Sequence, residues 1–180
     1  VNLTSHLAHA KVSAAVLSAG KHVHSEKPLA ATREDGKRLL CLAEENGVRL
    51  SCSPFTFLGE AQETARKAIR DGIIGKPLIA YAEMNWARIE TWHQNPEGFY
   101  GKGAGPMLDV GVYALTVLTT LLGPVKSVLG DADILLPERT VARGPKAGKK
   151  FRVTTPDQVT GFLTFASGTR GRITASFLGY

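Results

Sequence analysis

The chain has 180 residues, a formal net charge of +6 and 43% hydrophobic residues, a composition that suits one ordinary globular domain or two small ones. It excludes a disordered or fibrous protein, and no stretch approaches the roughly 18 consecutive apolar residues of a membrane span. Because no secretory signal pattern opens the chain, we expect a cytoplasmic protein without a membrane partner.

The first half of the chain alternates helical and strand patterns. Ser5 predicts the N-cap of a helix that ends at Gly20, and residues 21–26 predict a short strand. The predicted apolar face of this helix consists of Leu7, Ala10, Ala14, Ala15, Val16 and Leu17. Thr32 and Asp35 predict the capped start of a second helix, which Asn46-Gly47 ends before a second strand at residues 48–53. This order predicts a parallel sheet and half of a doubly wound α/β fold.

The second helix is expected to bury Leu39, Leu40, Leu42 and Ala43. The two cysteines, Cys41 and Cys52, stand in apolar surroundings without metal-ligand spacing, so we expect buried thiols in a reducing compartment. The five histidines form no trusted metal-ligand set either, and we expect no metal.

Beyond Pro54 the pattern becomes α+β. It predicts a helix over 59–71, a strand over 77–88, an irregular aromatic segment, and a long helix that Pro106 opens and Gly123-Pro124 ends. Strands follow at 125–136, 159–166 and 169–178, the last two joined by a two-residue turn at Ser167-Gly168.

Much of the positive charge is local to residues 138–152, where only Glu138 opposes Arg139, Arg143, Lys146, Lys149, Lys150 and Arg152. Interleaved glycine and proline predict a solvated loop, and the absence of aromatic residues before Phe151 argues against a nucleic-acid site. We therefore expect no nucleic-acid partner, with a contact to an anionic substrate as the open alternative.

The first candidate for chemistry is Glu26-Lys27-Pro28, at the end of the first predicted strand. Proline biases Lys27 toward extended backbone, so its ammonium should project from the carboxyl edge of the strand, where open α/β sheets bind ligands. The alternative is a surface lysine that pairs with Glu26.

The second candidate is the segment from Gly103 to Tyr113. Pro106 is suited to the first position of a helix, and the glycines at 103 and 105 would allow backbone amides to approach a ligand. Asp109 and Tyr113 are four residues apart and share a helix face, where the carboxylate can hold a hydroxyl and the phenol can take its proton. Alternatively, Asp109 complements the helix N-terminus and Tyr113 packs in the core.

With Glu26-Lys27-Pro28, the chain resembles the Gfo/Idh/MocA family of NAD(P)-dependent oxidoreductases, which act largely on sugars, inositols and related polyols. The resemblance covers most of residues 1–130, and its further motifs are Asn2 and His6, Ala15–Lys27, Phe57–Pro77, Gly103–Gly123 and, for one subgroup, Trp92–Tyr100. It implies NAD or NADP as cofactor, a sugar or polyol substrate, and a homo-oligomer.

The resemblance also implies roles for individual residues. Lys27, Tyr113 and Asp109 would be catalytic, and Glu26, Lys27, His6 and Asn2 would line the cofactor. Residues 1–54 would form the distal part of a Rossmann-type dinucleotide-binding domain, and residues 55–180 an incomplete α+β substrate and oligomerisation domain with a mainly antiparallel open sheet.

The chain departs from the commonest family pattern in two ways. Tyr113 stands where most members have histidine, and the glycine-rich dinucleotide fingerprint is absent. We therefore expect a truncated chain, lacking the first Rossmann half and C-terminal strands and inactive by itself. The alternative is a non-catalytic sugar- or dinucleotide-sensing module of the same fold.

Overall fold

The computed structural model describes residues 1–179. It contains two compact units, one formed by Val1–Phe55 and the other beginning at Thr56. Among the described residues, no helix is long and apolar enough to cross a membrane.

The first unit has the predicted order of helices and strands: α1 (His9–Ser18), β1 (Val23–Ser25), α2 (Arg33–Glu45) and β2 (Leu50–Cys52). β1 and β2 are parallel, which confirms the predicted arrangement. On the opposite edge of β1, Asn2 forms a parallel bridge with Ser25, so a third extended segment begins beside the two strands.

The start of α2 confirms the predicted cap, because the Thr32 hydroxyl accepts the Asp35 N–H at 3.1 Å. Leu39 and Ala43 are buried as predicted. Leu40 and Cys41 are exposed, which corrects two expectations. Since successive residues turn by about 100°, Cys41 lies on the opposite side of the helix from the 39/43 stripe and Leu40 lies on the flank of that stripe.

The prediction for α1 was wrong at its start and only partly right in its buried face, where the predicted Leu17 is buried. The helix begins at His9, and Ser5 contributes a backbone carbonyl to the preceding turn instead of a side-chain cap. The buried stripe is His9, Ser13 and Leu17, and the predicted Leu7 is exposed. Because His9 and Ser13 are polar, the hydrophobic pattern of the sequence did not show the buried face.

The second unit contains α3 (Glu60–Arg70), β3 (Ile79–Ala87), a π-helical turn (Met107–Gly111), α4 (Val112–Leu122), β4 (Val125–Asp133), β5 (Glu138–Thr140), β6 (Lys150–Arg152), β7 (Gln158–Phe165) and β8 (Arg170–Gly179). Its main sheet has the order β3-β8-β7-β4. As predicted, this sheet is mainly antiparallel, with β3 alone parallel to its neighbour β8. One face packs against α4 through a core that includes Leu118, Leu163 and Ile173.

The other face of the main sheet carries a row of side chains in direct register. Tyr81 of β3 lies opposite Arg172 of β8, which lies opposite Phe162 of β7, which lies opposite Leu129 of β4. Tyr81, Phe162 and Leu129 are all more than half exposed. This row gives the sheet an apolar surface outside its core.

The turn between β7 and β8 is longer than predicted. The Thr169 carbonyl accepts a hydrogen bond from the Phe165 N–H, so Ala166, Ser167 and Gly168 form a three-residue loop. Gly168 has a φ of 86°, the left-handed conformation that the last residue of such a loop requires.

Residues 138–152 form the predicted solvated loop only over 142–149, where every residue is exposed, and the two ends of the segment are strands. β5 and β6 pair as an antiparallel hairpin, and Arg139 and Val141 are buried within it. The remaining basic residues of the segment are exposed. The charge count was therefore misleading at one position, because the buried Arg139 is surrounded by carboxylates from distant parts of the chain.

Candidate active site

The Glu26-Lys27-Pro28 turn directly follows β1, at the carboxyl edge of the parallel strands. Glu26 is fixed by its N–H, which donates to the Asn2 carbonyl at 2.9 Å, and its carboxylate accepts the Lys27 N–H at 3.1 Å. Lys27 itself is half-buried. The predicted position of the lysine at the end of a strand is therefore what the structure has.

Asn2 lies beside this turn and is buried. Its Nδ2 donates to the His9 carbonyl at 3.1 Å and the Ser13 hydroxyl at 2.9 Å, and its Oδ1 accepts from the N–H and hydroxyl of Thr4. Both amide protons and both lone pairs are thus used within the unit. Asn2 joins the edge of β1 to the first turn of α1.

The two neighbouring histidines have different surroundings. His6 is half-buried, and within residues 1–179 its buried Nε2 meets no hydrogen-bond partner. His9 is buried, and its ring nitrogens lie 2.7 Å from the Pro28 carbonyl oxygen and 3.0 Å from that of Thr4. Sequence reasoning named His6 and passed over His9. The i, i+4, i+8 spacing of His9, Ser13 and Leu17 was the signal that could have found it.

Cys52 ends β2 next to the same turn. Its Sγ donates to the Ser53 carbonyl at 3.0 Å and to the Glu26 carbonyl at 3.5 Å. Burial, with a smaller contribution from the Glu26 charge, raises the pKa of the Cys52 thiol to about 11. A thiol of this kind stays protonated near neutral pH, so Cys52 has a structural role and is a poor nucleophile.

Asp109 lies in the π-helical turn and Tyr113 in the first turn of α4. The prediction of a regular α-helix from Pro106 was therefore wrong in its first turn. Both side chains are half-buried. π-helical turns are rare, and those that occur are often found at functional sites. The turn is therefore consistent with a functional role of this segment.

The glycines around the π-helical turn pack against the protein itself. A Cβ on Gly111 would lie 2.6 Å from Met107 Sδ and 3.2 Å from the Ala175 side chain of β8. One on Gly105, whose φ is 96°, would lie 3.1 Å from the Pro156 carbonyl oxygen. At Gly111 the close neighbours are side chains of the same unit, and at Gly105 the closest neighbour is backbone of that unit.

Tyr113 lines a groove of about 580 Å³ between α3, α4 and β3. Its walls are mostly apolar and include Met84 and Leu118, with Glu83 and Gln62 as polar members. Tyr113 is thus half-buried at a groove and is not one of the fully buried core residues of the described chain.

A buried polar network supports the segment that leads into the π-helical turn. Arg139 donates to Glu90 at 2.9 Å, to Asp157 at 2.6 Å and to the Phe177 carbonyl at 3.2 Å, and the Tyr100 hydroxyl donates to Glu90 at 2.5 Å. Burial opposes the charge of Arg139, but the hydrogen bonds to Asp157 and Glu90 outweigh it and raise the pKa of the guanidinium. Burial and the Glu90 contact likewise raise the pKa of the Tyr100 phenol.

Backbone hydrogen bonds continue from this network toward Asp109. The Tyr100 carbonyl accepts the Thr154 N–H at 2.9 Å, the Phe99 carbonyl accepts the Gly105 N–H at 3.0 Å, and the Gly105 carbonyl accepts the Asp109 N–H at 3.0 Å. Sequence reasoning missed the network, because its members come from four separated segments.

Comparison with known proteins places the chain in a family. Residues 62–180 match the profile of the GFO/IDH/MocA C-terminal domain, and residues 2–53 match that of an oxidoreductase family with an NAD-binding Rossmann fold. This chain belongs to the Gfo/Idh/MocA family. The resemblance found in the sequence is thereby confirmed.

Within the Gfo/Idh/MocA family, the chain is 31% identical to the 1,5-anhydro-D-fructose reductase of Ensifer adhaerens, an alignment that covers 84% of the chain and 46% of the relative. It is 35% identical to the dTDP-3,4-didehydro-2,6-dideoxy-alpha-D-glucose 3-reductase of Streptomyces antibioticus, covering 84% and 44%. The chain thus spans about half the length of the curated relatives it matches.

A solved structure has the same fold. The WlbA dehydrogenase of Bordetella pertussis, in complex with NADH and UDP-GlcNAcA, superimposes with a TM-score of 0.83 at 26% identity. The match covers 99% of this Gfo/Idh/MocA chain and 51% of the solved chain.

Proposed function

We propose that this chain belongs to an oxidoreductase that transfers a hydride between a nicotinamide cofactor, NAD or NADP, and a secondary alcohol of a sugar, inositol or related polyol. The observation that carries the proposal is the lysine turn at the carboxyl edge of β1, in a segment that matches an NAD-binding family profile. Oxidation of the alcohol releases a hydride to the nicotinamide and a proton from the hydroxyl, and reduction of the ketone reverses both transfers.

Lys27 holds or moves the hydroxyl proton in this proposal. Two properties support the role: the lysine directly follows a parallel strand, and it is half-buried. Open α/β sheets bind their ligands outside the carboxyl ends of the strands. An amine at that edge is suited to proton exchange with a substrate hydroxyl.

Asp109 and Tyr113 act on the substrate side of the same reaction. Asp109 orients the substrate by accepting a hydrogen bond from a hydroxyl, and Tyr113 helps to manage the hydroxyl proton. The support is their half-burial in a π-helical turn and the helix turn that follows it. Carboxylate and phenol are donors and acceptors of the kind that recognise hydroxyl groups.

Glu26, His6 and Asn2 line the cofactor in this proposal, together with Lys27. The fit rests on the buried Nε2 of His6, which meets no partner within the described residues and is thus able to hydrogen-bond a ligand. The Asn2 side chain is fully hydrogen-bonded to His9, Ser13 and Thr4. Asn2 would therefore line the cofactor through the backbone that these bonds hold in place. When bound, the nicotinamide supplies the hydride acceptor or donor.

The roles of the two parts of the chain belong to the proposal. Residues 1–54 form the distal part of the dinucleotide-binding domain, and residues 55–180 form the substrate and oligomerisation domain. The apolar row of Tyr81, Phe162 and Leu129, which Arg172 interrupts, supports a homo-oligomer, because exposed apolar surface commonly marks an interface.

The test is the change in NAD(P)H absorbance when the complete protein is mixed with a panel of sugars, inositols and polyols. We expect turnover with at least one of them, and a loss of at least about a hundredfold in Lys27→Ala, the size of effect that general acid–base groups have. Lys21→Ala, at an exposed position of the same unit, is the matched control and should retain wild-type turnover. Full turnover in Lys27→Ala refutes the assigned role, and binding of cofactor and sugar without turnover points to a sensing module instead.

A further inference from the structure

The imidazole of His9 connects two backbone segments near the carboxyl end of β1. Its Nδ1 lies 2.7 Å from the Pro28 carbonyl oxygen, in the lysine turn, and its Nε2 lies 3.0 Å from the Thr4 carbonyl oxygen, in the loop after Asn2. Both partners are acceptors, so a ring with a hydrogen on either nitrogen donates to at least one of them. His9 is 1% exposed, so water cannot reach the two carbonyl oxygens in place of the imidazole.

The backbone of His9 is itself held in place. The buried Asn2 amide donates to the His9 carbonyl at 3.1 Å and to the hydroxyl of Ser13, one turn further along α1, at 2.9 Å. Asn2 also forms the parallel bridge to Ser25. The imidazole therefore projects from a helix turn that is attached to β1, and its position relative to Pro28 is fixed at both ends.

We propose that His9 is a positioning residue for Lys27: it holds the Pro28 carbonyl and thereby fixes the turn from which the catalytic amine extends. This inference rests on the proposed function. Lysine has a flexible four-carbon stem, so the location of its amine depends on how firmly its backbone is held. A misplacement of about 1 Å can reduce turnover by about a hundredfold.

A set of variants at His9 separates positioning from a merely structural role. Asparagine places an amide nitrogen where the imidazole has Nδ1, which faces Pro28. Glutamine places one where the imidazole has Nε2, which faces Thr4. Leucine fills similar space and donates to neither. His24→Leu is the matched control, because His24 is exposed on β1 and its imidazole bonds the Ser51 hydroxyl at 2.8 Å.

The first measurement is hydrogen–deuterium exchange of the peptide that spans residues 26–31, in the chain described above, together with its thermal midpoint. In His9→Leu we expect roughly tenfold faster exchange in this peptide, since the Pro28 carbonyl has lost its donor, and unchanged exchange in β8. His9→Asn should restore slow exchange more fully than His9→Gln. This measurement does not depend on catalysis.

The second measurement is steady-state turnover of the complete protein. We expect His9→Leu to lower kcat by about tenfold to a hundredfold with KM for the sugar within about twofold, and His9→Asn to recover kcat more than His9→Gln. His24→Leu should match wild type in both measurements.

Three results would overturn the inference: unchanged exchange at residues 26–31 in His9→Leu, unchanged kcat per folded molecule in that variant, or equal rescue by glutamine and asparagine. If wild type turns over no sugar at all, the proposed function fails. The exchange measurement then still decides whether His9 holds the turn.

Discussion

Replacing Arg139 by methionine should destabilise the second unit strongly. The guanidinium is 1% exposed and is ion-paired with Asp157, which is fully buried, and with Glu90, which is 9% exposed. Methionine fills similar volume but leaves both carboxylates without their counter-charge. Breaking a buried ion pair from one side costs about 3–5 kcal/mol.

The structure places the expected loss at the lower end of that range. Asp157 still accepts the N–H groups of Leu135 at 2.8 Å and Leu136 at 3.2 Å, and Glu90 still accepts the Tyr100 hydroxyl. These contacts partly compensate each carboxylate. We therefore expect the free energy of unfolding to fall by about 3 kcal/mol.

Urea unfolding followed by tryptophan fluorescence measures this loss. Both tryptophans, Trp86 and Trp92, belong to the second unit, so the signal reports on that unit. The matched control is Arg152→Met, because Arg152 lies exposed on β6 of the same hairpin, and it should change stability by less than about 0.5 kcal/mol.

The double variant Arg139→Met/Asp157→Asn should recover part of the loss, since the neutral amide still accepts a backbone N–H and carries no buried charge. A loss of under about 1 kcal/mol in Arg139→Met would refute the reasoning, because the pair would then contribute no more than an exposed one. Failure of the double variant to recover any stability would show that the desolvated carboxylate of Asp157 is not the cause.

Two further predictions concern the cysteines and the open sheet face. At about pH 8, a thiol reagent should modify the exposed Cys41 at least tenfold faster than Cys52. The pKa of Cys52 is raised to about 11, so this residue has little thiolate until the pH rises toward that value. The variant Cys41→Ser assigns the two rates, and equal rates would contradict the prediction. Phe162→Glu adds charge to the apolar row and should convert an oligomer to a smaller species in size-exclusion chromatography with light scattering. The control Ser167→Glu, in the exposed turn, should leave the oligomer unchanged. A monomeric wild type would exclude the interface.

The sequence predicted best where local chemistry alone determines structure. The Thr32 cap and the glycine at the end of α1 follow from residues close together in the chain. The lysine turn was found for the same reason, since Pro28 marks the end of the strand. In each case the signal lies within a few residues, so hydrophobic periodicity and turn chemistry suffice.

The sequence failed where a polar side chain is buried by partners far away. Arg139 was assigned to a solvated loop because its neighbours are basic, yet its partners Glu90 and Asp157 lie 49 and 18 residues away along the chain. His9 and Ser13 concealed the buried face of α1 in the same way. Hydrophobic patterning assigns such residues to the surface, because it scores each side chain without its eventual partners.

Three buried polar residues, His9, Asn2 and Arg139, have one property in common: each holds backbone near a proposed site residue. His9 and Asn2 hold the segments on either side of β1, next to Lys27. Arg139 holds Tyr100, and the carbonyl of the neighbouring Phe99 accepts the N–H of Gly105, whose own carbonyl accepts the Asp109 N–H. A core built for stability alone would favour apolar residues at these positions, since buried ionic groups often gain little over them. Their presence beside the two candidate segments is what selection for a fixed site geometry would produce, because functional sites are where local rules of folding are most often broken.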